Sequence, residues 1–269
     1  MQEQFSDMQK NMAKRWGKLI APIRPSKSMV ELYEKNILSA IKNRPNSVWG
    51  LLGCTPEIRT IAGKYQAEIK CIDHNPNAFH AYKVLSDQSK YEEYICSNWL
   101  TLTFKEIFDI ILGDGSMSML PIKDHAKFLE RIHRIIKPGG YAVLRIYIVA
   151  PLMLNSIQKI FTWYRKENNG IPTRLLRQYL YALWLNLDTM SMSNSEYQTK
   201  LLEVYKNGFI TYEEYEELDI TKKPGVNVQY TTKERFEQLI SNLFEITSVH
   251  YVEDYPLSMN TPLYFLQKK

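Results

Sequence analysis

The sequence predicts an α/β chain built on a mostly parallel sheet, and three observations carry that prediction. From residue 47 onward, short β-rich runs alternate with helical stretches, the pattern of repeated βαβ units. Several of these runs are apolar almost without interruption, as strands covered by helices on both faces should be. The turns that leave the runs carry glycine and polar residues, as in Gly53-Cys54-Thr55-Pro56-Glu57.

A chain of 269 residues with 45% hydrophobic content can bury a full core and carry additional segments around it. The pattern divides it into an N-terminal helical arm over 1–45, a core over 46–150, a helical cap inserted over 151–230, and a C-terminal helix with a β-hairpin over 231–269. The longest apolar run, Tyr141 to Leu154, is interrupted by Arg145. It falls short of the roughly 18 apolar residues a membrane span needs, so no membrane partner is expected. Glu3, Asp7, Lys10, Lys14 and Arg15 leave no room for a hydrophobic leader, and a cytoplasmic location follows. Cys54, Cys71 and Cys96 are too few for a disulfide framework, and their spacing fits no metal site, so they read as small buried core residues. Residues 1–45 hold nine Lys/Arg against four Asp/Glu, which accounts for the whole net charge of +5. These charges alternate with apolar residues at helical spacing, which favours a solvated helix face over a nucleic-acid arm.

In order along the chain, Ser28 and Glu31 read as a capping box, followed by a helix with the apolar stripe Leu32, Tyr33, Ile37, Leu38 and Ile41. The expected strands are Ser47 to Leu52, Glu68 to Ile72, Tyr91 to Cys96, Phe108 to Leu112 and Tyr141 to Val149. Between the last two, Asp124 can cap a helix with the face Phe128, Ile132, Ile135 and Ile136, stopped by Pro138-Gly139-Gly140. In the cap, Leu175, Leu176, Tyr179, Leu180, Leu183, Trp184 and Leu187 form one amphipathic helix, and an acidic stretch runs from Glu213 to Asp219. That aromatic stripe can serve core packing or substrate contact. Thr231 with Glu234 reads as a second capping box, ahead of the β-like runs Phe244 to Val252 and Leu263 to Leu266.

Four successive strand ends carry the residues with chemistry. After the first, Thr55 suits an N-cap, Pro56 the first helical position and Glu57 the first turn, so a helix begins there with its free N–H groups at the carboxyl edge of the sheet. Open α/β sheets bind ligands at that edge, and Gly53 lets one approach the backbone. The second strand ends at Asp73, whose carboxylate can hold ribose hydroxyls or cap the helix from Asn77. After the third come Asn98, with an amide able to read an adenine edge, and Trp99, with an indole able to cover its ring. After the fourth come Gly113-Asp114-Gly115-Ser116. A dinucleotide fingerprint would need glycine at Thr55 and Ile58, and no phosphate-loop motif occurs, so a ligand without a pyrophosphate is favoured.

The order of these motifs resembles class I S-adenosylmethionine-dependent methyltransferases over roughly residues 47–150, with a further match at the C-terminal hairpin. Val48-Trp49-Gly50-Leu51-Leu52-Gly53-Cys54-Thr55-Pro56-Glu57, Ile72-Asp73, Asn98-Trp99, Phe108-Asp109-Ile110-Ile111-Leu112-Gly113-Asp114-Gly115 and Ile135-Ile136-Lys137-Pro138-Gly139-Gly140 carry the likeness. Trp16 and Ile23-Arg24-Pro25-Ser26 look like the arm of a subgroup whose first motif reads Leu-Gly-x-Thr-Pro-Glu. The glycine-rich loop is reduced to one glycine, Leu51 stands where an acid is common, and Asn98 stands where Asp is frequent. The resemblance implies a Rossmann-like three-layer sandwich, its seven-stranded sheet closed by an antiparallel last strand. It also implies S-adenosylmethionine bound across Gly53, Cys54 and Thr55, with Asp73 on the ribose and Asn98 with Trp99 at the adenine. His74, Gly113, Asp114 and Arg24 complete the candidate cofactor contacts, Arg24 by pairing with the ligand carboxylate or instead with a surface acid.

No Asn/Asp-Pro-Pro-Tyr segment follows the fourth strand and no Pro-Cys nucleophile occurs, so a small-molecule acceptor enclosed by the cap is favoured over nucleic acid. A catalytically silent cofactor-binding protein and an RNA methyltransferase are the rival readings. An activated methyl group asks mainly for positioning, and where a base is needed Asp114 is the candidate, its other role being to shape its own turn. His74, His80, His125, His133 and His250 form no metal pattern.

Overall fold

Among the described residues seven strands form one sheet, in the order β3-β2-β1-β4-β5-β7-β6, and β7 runs opposite to the other six. The computed structural model describes residues 14, 16–166, 173–187, 190, 192–219 and 229–269; parts of the expected arm and cap, and the Leu175 side chain, lie outside the described residues. The strands are β1 (Val48–Leu52), β2 (Glu68–Asp73), β3 (Glu92–Cys96), β4 (Phe108–Asp114), β5 (Ile136–Arg145), β6 (Phe244–His250) and β7 (Leu263–Lys268). Helices α1 (Lys27–Ile41), α2 (Pro56–Lys64), α3 (Pro76–Lys83) and α4 (His125–Ile135) belong to the first half of the chain. Then come α5 (Ile157–Lys166), α6 (Thr173–Trp184), α7 (Asn194–Lys206), α8 (Tyr212–Leu218) and α9 (Lys233–Ile240).

The alternation of side chains sorts the central strands onto two faces. Trp49, Leu51, Ile110, Leu112, Val143 and Phe265 face α1 and α2, whereas Leu52, Ile111, Ala142, Leu144 and Tyr264 face α4 and α9. This is a Rossmann-like three-layer sandwich. At Gly50 a Cβ would stand 2.4 Å from Ile111 Cδ1, so a larger residue there would force that side chain to move. The described part of the cap is helical apart from short connections, and Phe161, Leu176, Tyr179, Tyr197, Leu201 and Leu218 are buried in the same cluster as α1.

The caps of α1 and α9 lie one or two residues from the positions the sequence predicts. Ser26, not Ser28, caps α1, its Oγ accepting the Met29 N–H at 3.2 Å, so Ser28 and Glu31 lie inside the helix. Its buried face is Met29, Tyr33, Asn36, Ile37 and Ala40, with Leu38 turned outward. Thr232 caps α9, and Thr231 before it forms an isolated bridge with Ile148, three residues beyond β5. Asp124 and Thr55 occupy cap positions without a side-chain capping bond. Asn75 caps α3, accepting the Asn77 N–H at 3.0 Å. In the cap, Leu187 lies beyond the end of α6 and is exposed. Cys54 and Cys71 are buried, whereas Cys96 is exposed.

The largest displacement concerns Pro138-Gly139-Gly140, expected as the stop between helix and strand. α4 ends at Ile135 and β5 starts at once, running through these three residues to Arg145 rather than to Val149. The β4–β5 register jumps from Phe108↔Ile136 to Ile110↔Tyr141, a bulge that absorbs them. Gly139 has φ +67°, and a Cβ on Gly140 would meet the Asp109 carbonyl at 2.8 Å, so glycine bends the strand here instead of ending a helix.

Candidate functional site

Strand order reverses between β1 and β4, which places the ligand crevice of an open α/β sheet at their carboxyl ends. Leu52 pairs with Gly113 across that line, so Gly53 and Asp114 leave the sheet side by side. Gly53 adopts φ +98°, a conformation that side chains resist. A Cβ on it would stand 3.8 Å from Asp73 Oδ2 and 4.0 Å from Trp99 Cζ2. The ends of β1, β2 and β3 therefore converge on one point, and what keeps that point open is the absence of a side chain. α2 begins just beyond, with its first N–H groups directed at the same edge.

Asp73 does not cap α3, since Asn75 does. Its Oδ1 accepts the Asn75 N–H at 2.9 Å, while Oδ2 is the oxygen nearest Gly53. His74 is exposed beside it, Nδ1 3.4 Å from Asp73 Oδ1. Asn98 is exposed, its Oδ1 accepting the Leu100 N–H at 2.9 Å, so the carbonyl half of its amide serves a 3-10 turn over Trp99–Thr101. That turn presents Trp99, whose Nε1 donates to the Ile72 carbonyl at 2.7 Å, with its ring edge-on to Phe128 at 6.2 Å. Thr55 and Cys54 are buried at the start of α2.

Arg24 reaches this helix from the arm. Its Nη2 lies 2.5 Å from Glu57 Oε1, which also accepts the Trp16 indole N–H at 3.2 Å, and the guanidinium sits 5.9 Å over the Trp16 ring. Burial pushes the Glu57 carboxyl up, with Arg24 opposing it. Arg24 and Glu57 line an open cavity of about 400 Å³.

Asp114 is nearly enclosed, its side chain 2% exposed. Arg145 Nε stands 2.5 Å from its Oδ1, and Tyr33 Oη donates to the Gly113 carbonyl at 2.9 Å and to Asp114 Oδ1 at 3.3 Å. Burial raises the Asp114 carboxyl above its ordinary range, and Arg145 only partly offsets this. The neighbouring turn is held by Ser116, whose Oγ donates to the Leu52 carbonyl at 2.8 Å. Tyr147 packs against Gly115 and donates to the Pro22 carbonyl at 2.6 Å, tying the arm to the end of β5.

From sequence Arg145 reads only as a break in an apolar run and Tyr33 only as part of a helix stripe, and neither they nor Tyr147 carry a site role there. The signal lay in plain sight for Arg145: a charged residue in an otherwise apolar strand must find a buried partner, and Asp114 ends the strand next to it.

Residues 52–144 match the family model of the methyltransferase domain. No curated protein matches the chain in sequence. Among solved structures the chain is similar to the N-methyltransferase NodS from Bradyrhizobium japonicum in complex with S-adenosyl-L-homocysteine, with 10% identity and a TM-score of 0.52 over 88% of this chain and 86% of that one. It is also similar to the 1,6-didemethyltoxoflavin-N1-methyltransferase of Burkholderia thailandensis, with 11% identity and a TM-score of 0.54 over 99% and 86%. A third likeness, to the PH0226 protein of Pyrococcus horikoshii, has 15% identity and a TM-score of 0.53 over 90% and 91%. At these identities the likeness is one of fold. Among the described residues no helix is long and apolar enough to cross a membrane, and no group of three or more His, Cys, Asp or Glu could hold a metal ion.

Proposed function

We propose that the chain is an S-adenosylmethionine-dependent methyltransferase that passes the methyl group to a small molecule by in-line displacement. The observation that carries this reading is the convergence of Gly53, Asp73 and Trp99 at the β1–β4 switch point, in a cradle that a single Cβ on Gly53 would fill. Residues 52–144, the segment matched by the methyltransferase-domain model, contain that cradle, and the first motif has the Leu-Gly-x-Thr-Pro-Glu form as Leu52 to Glu57.

S-adenosylmethionine supplies a methyl group already activated on a sulfonium. In this reading the chain binds and orients. Asp73 Oδ2 accepts hydroxyl hydrogens, the Gly53 backbone admits close approach, and Trp99 supplies an apolar wall fixed by its bond to Ile72. Asn98 contributes the free half of its amide, while Gly113 and the buried residues Cys54 and Thr55 shape the floor; His74 stands at the rim. Arg24 acts through the arm, which it holds on the first turn of α2 by pairing with Glu57. Asp114, enclosed and raised above the usual carboxylate range, is the proposed acceptor of a proton where the nucleophile must lose one.

Calorimetry tests the cofactor. S-adenosylmethionine or S-adenosylhomocysteine should bind, and Asp73→Ala should weaken that binding by about 1–3 kcal/mol, the loss expected when buried hydroxyls lose their acceptor. NAD binding more tightly than either adenosyl ligand would sink the reading.

A further inference from the structure

A ring of tyrosines surrounds the Asp114–Arg145 pair under the cap. The Arg145 guanidinium lies 5.6 Å from the centre of the Tyr147 ring, and Tyr230 meets Tyr147 edge-on at 5.7 Å. Tyr179, on α6, packs against Trp163 of α5 with ring centres 4.8 Å apart. The backbone around Tyr230 is tied to the end of β5, because the Thr231 N–H donates to the Tyr147 carbonyl at 3.1 Å.

The polar groups of this cluster fall into two kinds. Tyr33, Tyr147 and Tyr255 have partners in Gly113, Pro22 and Thr261. The hydroxyls of Tyr179 and Tyr230 and the Nη1 of Arg145 have none, although these residues are only 1–2% exposed. An unmade hydrogen bond on a buried donor costs about 1–3 kcal/mol, and folded proteins leave few such groups without a reason. Burial, then Tyr147 and Tyr179, pushes the Tyr230 hydroxyl above its ordinary range; burial, then Tyr255 and Tyr147, does the same at Tyr179. Both hydroxyls therefore stay protonated and remain donors at neutral pH.

The chemistry of the occupant follows from these groups. Aromatic walls favour a flat ring, and three unused donors favour acceptor atoms on it. Asp114 already balances the charge of Arg145, so a second anion would be buried without a counter-charge, at a large desolvation penalty. An uncharged ring meets all three conditions.

We propose that this cluster binds the methyl acceptor, and that the acceptor is an uncharged planar ring carrying carbonyl or ring-nitrogen acceptors held by Tyr179, Tyr230 and Arg145. The methyltransferase reading underlies only the word acceptor; the site and its ligand class stand on the unpartnered donors.

Three flat bicyclic probes test it, each titrated into the full chain with and without S-adenosylhomocysteine: 4-quinolone, indole, which offers a donor but no ring acceptor, and the anion 2-naphthoate. 4-Quinolone should bind about tenfold or more tighter than either of the others, and Tyr230→Phe should remove most of that preference. The same variant should melt at or above the temperature of the parent, since it deletes a hydroxyl that has no partner in the free protein; Tyr179→Phe gives an independent second reading. Tightest binding by 2-naphthoate, equal binding of 4-quinolone and indole, or an unchanged preference in both variants would overturn the proposal. A chain that takes 4-quinolone but neither adenosyl ligand would leave the site standing and remove the methyltransferase reading.

Discussion

Asp109 and Asp114 belong to the same strand, β4, and stand at opposite rims of the sheet. At the amino rim Asp109 accepts from Arg44 Nη1 at 3.0 Å, from Lys137 Nζ at 2.7 Å and from the Val48 N–H at 2.9 Å. Although burial pushes the Asp109 carboxyl up, these donors win and hold it below the ordinary range. At the carboxyl rim Asp114 is more deeply enclosed and is raised, with donors around it that have no partner. The amino rim even borders a cavity of about 830 Å³, lined by Arg44, Ser47 and Trp49, but Arg44 is spent on Asp109 and Gly139, and Trp49 donates to Ser47. A cavity does not by itself mark unmet chemistry: at the amino rim the polar groups around Asp109 have partners, and around Asp114 some donors have none.

Removing one cation from each rim gives the largest expected contrast. Arg145→Met leaves Asp114 buried without its partner and should lower unfolding free energy by about 3–5 kcal/mol. Arg44→Met leaves Lys137 and the Val48 N–H on Asp109 and should cost no more than about 1 kcal/mol, because that rim is partly solvated. Denaturant melts of the two variants should differ accordingly; similar losses would break the contrast between the rims.

Asp114→Asn should lower turnover about a hundredfold or more while affinity for S-adenosylhomocysteine stays within a factor of about three. Near-normal turnover would instead assign Asp114 to holding Arg145 and Tyr33 in place and leave methyl transfer to positioning alone.

The smallest effect concerns pH. A carboxylate with a lowered folded pKa contributes stability above its unfolded value, near pH 4, and loses it as pH falls through the folded value. Asp109→Asn should therefore cost roughly 1 kcal/mol at neutral pH, and the difference from the parent should vanish in melts recorded well below pH 4. A raised carboxyl works the other way, stabilising below its unfolded pKa and losing that stability as pH rises through the folded one, so no variant at Asp114 should reproduce this acid-limb convergence.

The fold was legible because its evidence is periodic. Strands such as β4 and β1 are apolar on both faces, and the helices between them announce themselves through caps that slipped by one or two positions, as at Ser26 and Thr232. Gly53, Asp73 and Trp99 were legible because ligand crevices occur at strand ends, and strand ends can be counted along the chain. The tyrosine cluster was not. Tyr33, Tyr147, Tyr230 and Tyr255 come from α1, the end of β5 and two loops, and nothing in their spacing brings them together. Pro138-Gly139-Gly140 was misread for a related reason: glycine and proline punctuate a chain in many contexts, and only the β4 partner decides that here they make a bulge.

The cap helices share one buried cluster with α1 and one face of the sheet, where Phe161, Leu180 and Tyr197 join Met29, Tyr33 and Ile37. This limits how the chain can be re-engineered. A transplanted cap from another protein would have to match the α1 face as well as the rim of the crevice, and excising the insertion would strip the central layer of part of its covering. If the cap carries the proposed acceptor site, its specificity is not a detachable module, and directed evolution toward a new acceptor should accumulate compensating changes in α1, which packs against the same helices.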